Sequence, residues 1–147
     1  MKIYIAGKIS GLNHDEVFRK FDIVQCKLTK RGNAVLVPTV LPVLDELTHE
    51  DYMHICYAMI DVCDAVYFLR DYKESKGAVL ELAYARKHGK QLLFEDNQFE
   101  YLMNKSGLMT DLALRYKRIG DKDLSEFYRK AALGYKQKAY KVNVGEL

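Results

Sequence analysis

The stretch that decides the fold begins with Cys63-Asp-Ala-Val-Tyr-Phe-Leu69. It continues through a short polar loop and ends with Ser75-Lys-Gly77-Ala-Val-Leu-Glu81. The first run is apolar and of strand length, and the Gly-containing loop opens a helix whose second turn carries a carboxylate. Helical side chains tilt toward the N-terminus of their helix, so Glu81 is expected to lean toward the end of the strand. Open parallel sheets bind ligands outside the carboxyl ends of their strands, which makes Glu81 a candidate site residue.

Strand-like and helix-like segments alternate along most of the chain. The predicted strands are residues 2–6, 34–37, 64–69 and 91–94, and the predicted helices begin at caps on Asn13, Thr48 and Ser75. Such alternation implies right-handed crossovers and therefore an α/β fold, with a parallel sheet of four to five strands in the order 2-1-3-4 and flanking helices. That order places the loops after the first and third strands side by side.

The alternation stops after residue 96, where two helices split by Gly120-Asp121 are predicted. We therefore divide the chain into an α/β domain over residues 1–96 and a C-terminal helical hairpin over residues 97–147. The hairpin has an apolar and aromatic face formed by Leu112, Tyr116, Phe127, Tyr128, Ala131 and Tyr135. Two helices cannot bury such a face alone, so the hairpin is expected to pack on the first domain or on another subunit.

The composition is that of a globular protein, with 147 residues, 49% hydrophobic residues and a formal net charge of +3. Residues 115–141 hold nine Lys or Arg against three acids, a pattern more typical of a solvated helix face than of a nucleic-acid interface. No apolar run approaches the roughly 20 residues of a membrane helix, so no membrane partner is expected. Three cysteines without a Cys-x-x-Cys pair or a signal peptide predict reduced thiols and a cytoplasmic location.

Two loops at the predicted sheet edge have the composition of anion-binding loops. Gly7-Lys8-Ile9-Ser10-Gly11 follows the first strand, and its glycines, backbone N–H groups, lysine and hydroxyl suit an anion. Ser75-Lys76-Gly77 opens the third helix, where N–H groups and the helix dipole favour phosphate. An ordinary turn and a simple helix cap explain each loop alone about as well, but two such loops at one place favour a phosphate site.

Three motifs occur in order along the chain: Tyr4-Ile-Ala-Gly7, Cys63-Asp64 opening the third strand, and Ser75-x-Gly77-x-x-x-Glu81 after it. Together they resemble the nucleoside 2-deoxyribosyltransferase-like superfamily, which includes 2′-deoxynucleoside 5′-phosphate N-hydrolases, over roughly residues 1–95. The resemblance implies that Glu81 is a nucleophile that attacks the anomeric carbon of a deoxyribose, while Tyr4 hydrogen-bonds and orients it. Water or a second base then accepts the sugar, and neither a metal nor another cofactor is expected.

The resemblance also bears on the phosphate and on the leaving group. The family's nucleotide hydrolases carry Gly-Ser-Ile-Arg-Gly after the first strand, and in Gly7-Lys-Ile-Ser-Gly11 the hydroxyl and basic positions are exchanged, so this loop is still expected to hold a 5′-phosphate. Because Lys8, Ser10, Ser75 and the N–H groups of both loops are expected to converge on that anion, a monophosphate should bind more tightly than its nucleoside. Where those enzymes carry an Asp that helps to protonate the departing base, this chain has Cys56, and a thiol is a poor general acid. His54, Asp51 or Asp61 is the expected substitute.

The sequence thus favours an enzyme that cleaves or transfers the N-glycosidic bond of a 2′-deoxynucleoside or its 5′-monophosphate. One alternative, favoured by Cys56, is a protein that binds or senses a nucleotide without turnover. Another is an interaction protein whose basic hairpin contacts nucleic acid. A homo-oligomer, most simply a dimer, is expected, because the family's enzymes complete their sites with residues of a neighbouring subunit.

Overall fold

The structure is a computed structural model that describes residues 1–95 and 98–143. Contacts divide the chain into two compact units. The first comprises Met1–Glu95, and the described part of the second begins at Gln98. The sequence-based boundary at residues 96 and 97 lies outside the described residues.

The first unit is a parallel sheet with flanking helices. Its strands are β1 (Lys2–Ala6), β2 (Ala34–Leu36), β3 (Ala65–Phe68) and β4 (Gln91–Phe94). Its helices are α1 (His14–Lys30), α2 (His49–Asp61) and α3 (Lys76–Lys87). All pairings are parallel and the order is β2-β1-β3-β4. The predicted α/β class and strand order are confirmed, with four strands in the described part of the chain.

The two central strands, β1 and β3, are almost wholly buried because helices cover both faces of the sheet. Successive residues of a strand point to opposite faces, and this splits the core into two clusters. Ile3 and Ile5 pack with the apolar residues of α1, including Phe21. Tyr4 packs in the other cluster, to which α2 and α3 contribute. The face that carries Tyr4 is therefore the face on which Glu81 lies.

Local capping fixes where the helices begin. The predicted cap on Thr48 is present and forms a reciprocal capping box with Asp51 at the start of α2. The predicted cap on Asn13 is also present, since its side chain accepts a hydrogen bond from the Asp15 backbone N–H at the start of α1. These caps set the register of each helix against the sheet.

The second unit is a helical hairpin of α4 (Gln98–Arg118) and α5 (Lys122–Asn143). The predicted break at Gly120-Asp121 is confirmed, since Gly120 has a φ of 84°, which favours glycine. Ser106 donates to the Ala132 carbonyl at 2.9 Å, which ties the two helices together. Among the described residues, no helix combines the length and the apolar character that crossing a bilayer requires.

Candidate active site

Glu81 lies on the second turn of α3, and its side chain points inward to β1. Its Oε1 accepts a 2.7 Å hydrogen bond from the Tyr4 hydroxyl. Glu81 is only 5% exposed and Tyr4 is fully buried. The contact that the sequence led us to expect between these two side chains is therefore present, and their catalytic roles stay predictions.

Cys56 is the third polar group of this cluster. It lies on α2, is 6% exposed, and belongs to the same buried cluster as Tyr4. It is within hydrogen-bonding reach of both Tyr4 and Glu81. The position where the resemblance places a proton-donating Asp thus holds a thiol in the buried cluster of Tyr4, near enough to Glu81 to affect its pKa.

The protonation states of the cluster follow from burial. Burial raises the pKa of Glu81 to about 7, although hydrogen bonds from Tyr4 and Cys56 act in the opposite direction. Burial and then the nearby Glu81 raise the pKa of Tyr4 well above its usual value, and burial raises the pKa of Cys56 to about 11. At neutral pH, Tyr4 and Cys56 are protonated donors, and Glu81 is near the midpoint of its titration.

The start of α3 lies directly against α2. A Cβ placed on Gly77 would come 3.4 Å from Met53 Sδ and 3.7 Å from His49 Cε1. His49, Met53 and Cys56 share one face of α2, because residues four and three apart stack along a helix. Sequence reasoning missed His49, although its spacing from Met53 and Cys56 would have placed it on this face.

The acid–base candidates His54 and Asp61 lie in different surroundings, and Asp51 belongs to the capping box of α2. His54 is exposed on α2. Asp61 accepts hydrogen bonds of 2.9 and 3.0 Å from the Tyr84 hydroxyl. Within the described residues, neither His54 nor Asp61 hydrogen-bonds to Glu81, and no group of three His, Cys, Asp or Glu side chains could hold a metal ion.

The loop after β1 is closed by internal contacts. The Lys8 backbone N–H donates to Asp71 Oδ1 at 3.1 Å, and Lys8 Nζ donates to Glu74 Oε2 at 3.2 Å. Lys20, on α1, donates both to the Lys8 carbonyl and to Asp71 Oδ2. Asp71 and Lys20 were not anticipated, because they lie far from Lys8 in sequence and only the strand order brings them together.

The remaining loop residues lie at the surface or in turns. Ile9, Ser10 and Gly11 are exposed, and Gly11 has a φ of 78°. Ser75 caps α3 by accepting a 3.2 Å hydrogen bond from the Ala78 N–H, while Lys76 is exposed in the first turn. The structure therefore places the second predicted anion loop at the start of the helix that carries Glu81.

The family model described as "Domain of unknown function (DUF4406)" matches residues 1–94. The matched part includes Tyr4, Cys56, Glu81 and both loops. No curated protein matches the chain.

Proposed function

We propose that this chain, which belongs to the DUF4406 family of domains of unknown function, cleaves or transfers the N-glycosidic bond of a 2′-deoxynucleoside or its 5′-monophosphate. The observation that carries the proposal is the hydrogen bond from the buried Tyr4 hydroxyl to Glu81. It supplies the oriented carboxylate that the resemblance to deoxyribosyltransferase-like enzymes implies. The carboxylate stands on the helix that follows central strand β3, the usual side for ligands of an open parallel sheet.

The chemistry is a double displacement at the anomeric carbon of the sugar. Ionised Glu81 attacks that carbon, the bond to the base nitrogen breaks, and its electron pair leaves with the base. Tyr4 holds one carboxylate oxygen in position. Water or a second base then attacks the glycosyl ester and restores Glu81.

Protonation of the departing base needs a donor other than Cys56. A thiol whose pKa is about 11 transfers a proton poorly at neutral pH. His49 faces the start of α3 and replaces His54 as the candidate donor. His49→Ala should lower the rate of base release, while His54→Ala, an exposed variant of the same helix, should leave the rate near that of the parent.

The direct test is release of free base from a panel of 2′-deoxynucleosides and their 5′-monophosphates. Glu81→Gln should lower the rate by several orders of magnitude and abolish the covalent sugar adduct seen by intact mass. Glu46→Gln, a change at an exposed loop carboxylate, is the matched control. Turnover by the Glu81→Gln protein at the parent rate would contradict the assignment.

A binding protein without turnover is the second candidate. The thiol of Cys56 at the expected acid position and the burial of Glu81 favour it. Such a protein would bind nucleosides or nucleotides in calorimetry and release no base during long incubation. Measurable base release that depends on Glu81 would exclude it.

A further inference from the structure

The glycines of the loop after β1 are required by the fold of the chain itself. A Cβ on Gly7 would lie 2.6 Å from Leu69 Cδ1 and 3.0 Å from Leu69 Cβ, so a side chain at this position would force Leu69 to move. Gly11 has a φ of 78°, which favours glycine in the turn. Neither glycine needs an approaching anion to explain it.

The backbone N–H and the ammonium group of Lys8 already have anionic partners. Asp71 Oδ1 accepts a 3.1 Å hydrogen bond from the Lys8 N–H, and Glu74 Oε2 lies 3.2 Å from Lys8 Nζ in an ion pair. The second oxygen of Asp71 is bound by the Lys20 ammonium, which also holds the Lys8 carbonyl. The side chains of Lys20 and Asp71 are only 10% and 28% exposed, so solvent screens this pair less than an ordinary surface ion pair.

We infer that Asp71 fills, as an internal anion, the place in this loop where a substrate phosphate would bind, and that the substrate is an uncharged 2′-deoxynucleoside rather than its 5′-monophosphate. The inference rests on the proposed function. It reverses the preference for a monophosphate that the loop composition predicts. A phosphate in the loop would lie beside the Asp71 carboxylate, and the repulsion between these two negative charges opposes phosphate binding.

Two exposed lysines near the start of α3 act differently. Lys73 and Lys76 lie at the surface, and Lys73 stands 5.8 Å from the centre of the Tyr72 ring. Exposed charges attract anions weakly and are screened by salt.

The test removes the internal anion and titrates the loop with inorganic phosphate. Asp71→Ala should bind phosphate at least about tenfold more tightly than the parent, with a shift of the Lys8 amide in nuclear magnetic resonance spectra, since a charge-assisted contact becomes available. Asp71→Asn, which removes the charge and keeps an acceptor oxygen, serves if the alanine variant does not fold. Asp45→Ala, a change at an exposed aspartate outside both loops, is the control and should behave as the parent.

Ligand preference is measured by calorimetry in a Glu81→Gln background, which blocks turnover. The nucleoside should bind at least as tightly as its monophosphate, and adding Asp71→Ala should reverse that order. A monophosphate that binds tenfold more tightly than its nucleoside before Asp71 is changed would overturn the inference, as would folded Asp71 variants with unchanged phosphate affinity. If no nucleoside binds at all, the proposed function is wrong, and the phosphate titration alone decides whether Asp71 acts as an internal anion.

Discussion

Burial without a cationic partner sets the chemistry of Glu81. Among the described contacts, the groups that change its pKa are its apolar surroundings, Tyr4 and Cys56, none of which is positively charged. A carboxylate in such a place is poised between nucleophile and neutral acid near pH 7. Its protonation therefore affects both the stability of the fold and the rate of any reaction.

Stability should fall as pH rises through the range in which Glu81 titrates. Its pKa is about 7 in the folded chain against 4.5 in the unfolded chain, so between these values the folded state holds a proton that the unfolded state has lost. The contribution of Glu81 is present below pH 4.5 and lost above pH 7, a change of about 3 kcal/mol in the free energy of unfolding.

Glu81→Gln should remove most of this pH dependence. Urea unfolding at pH 5 and pH 8 measures it, and the free energy of unfolding of the variant should differ less between the two pH values than that of the parent. Glu46→Gln keeps Glu81 and should retain the parent's dependence. An unchanged pH dependence in the Glu81→Gln protein would show that Glu81 is not the group responsible.

Activity should rise with pH as Glu81 ionises, whereas stability should fall. If ionised Glu81 attacks the sugar, kcat/KM should rise with pH through an apparent pKa of about 7. Tyr4→Phe removes a hydrogen bond that lowers the pKa of Glu81, so the rise should move to higher pH. Tyr84→Phe, which breaks a hydrogen bond to Asp61 instead, should leave the midpoint in place. A shift to lower pH in Tyr4→Phe would contradict the assigned role of the hydroxyl.

At the scale of elements, the sequence predicts what local patterns determine. Apolar periodicity and caps such as Thr48 and Ser75 define the helices, and their alternation with strands gives the sheet order. The Tyr4–Glu81 contact follows from that order. The partners of Lys8 could not be predicted in this way. A loop of glycine, lysine and serine has the same sequence whether the anion that it binds is a ligand or the side chain of a residue distant in sequence, such as Asp71. His49 was missed for a similar reason, since it faces α3 only when both helices are in place.

The approach of the β1 loop to the end of β3 can be tested by substitution. Gly7→Ala places a Cβ 2.6 Å from Leu69 Cδ1 and should destabilise the protein by about 1–3 kcal/mol through overpacking. Leu69→Ala in the same chain should relieve part of that loss, so the double variant should be more stable than the sum of the two changes predicts. Gly134→Ala, at a helical position with open space around it, should be neutral or slightly stabilising. Equal melting behaviour of Gly7→Ala and the parent would rule out the close contact.

At the scale of the whole molecule, part of the predicted apolar face of the hairpin is buried and part is exposed. Leu112 is buried, and the rings of Tyr116 and Tyr128 stack with centroids 5.5 Å apart. Phe127 is 62% exposed, and Ile119 near the turn is 68% exposed. These remaining apolar residues are the surface through which we expect two copies of the chain to associate.

Light scattering coupled to size exclusion should therefore give about twice the 17.0 kDa mass of the chain. Phe127→Ser should shift the mass toward that of a monomer, because it removes the largest exposed ring beside the turn. Tyr140→Ser alters another exposed ring of α5 and serves as the control. A monomer mass for the parent at tens of micromolar protein would exclude a stable dimer.

The central position of β1 in the sheet affects how the chain folds while it is being synthesised. This strand precedes α1, β2 and α2 along the chain, yet Ile3 pairs with Ala65, so one edge of β1 stays unpaired until β3 has been synthesised. Until then its apolar side chains and unpaired backbone groups can join another nascent chain. The two helices of the hairpin are neighbours in sequence, so their pairing needs no such delay. Early packing of α1 on Ile3 and Ile5 would cover one face of β1 during this interval.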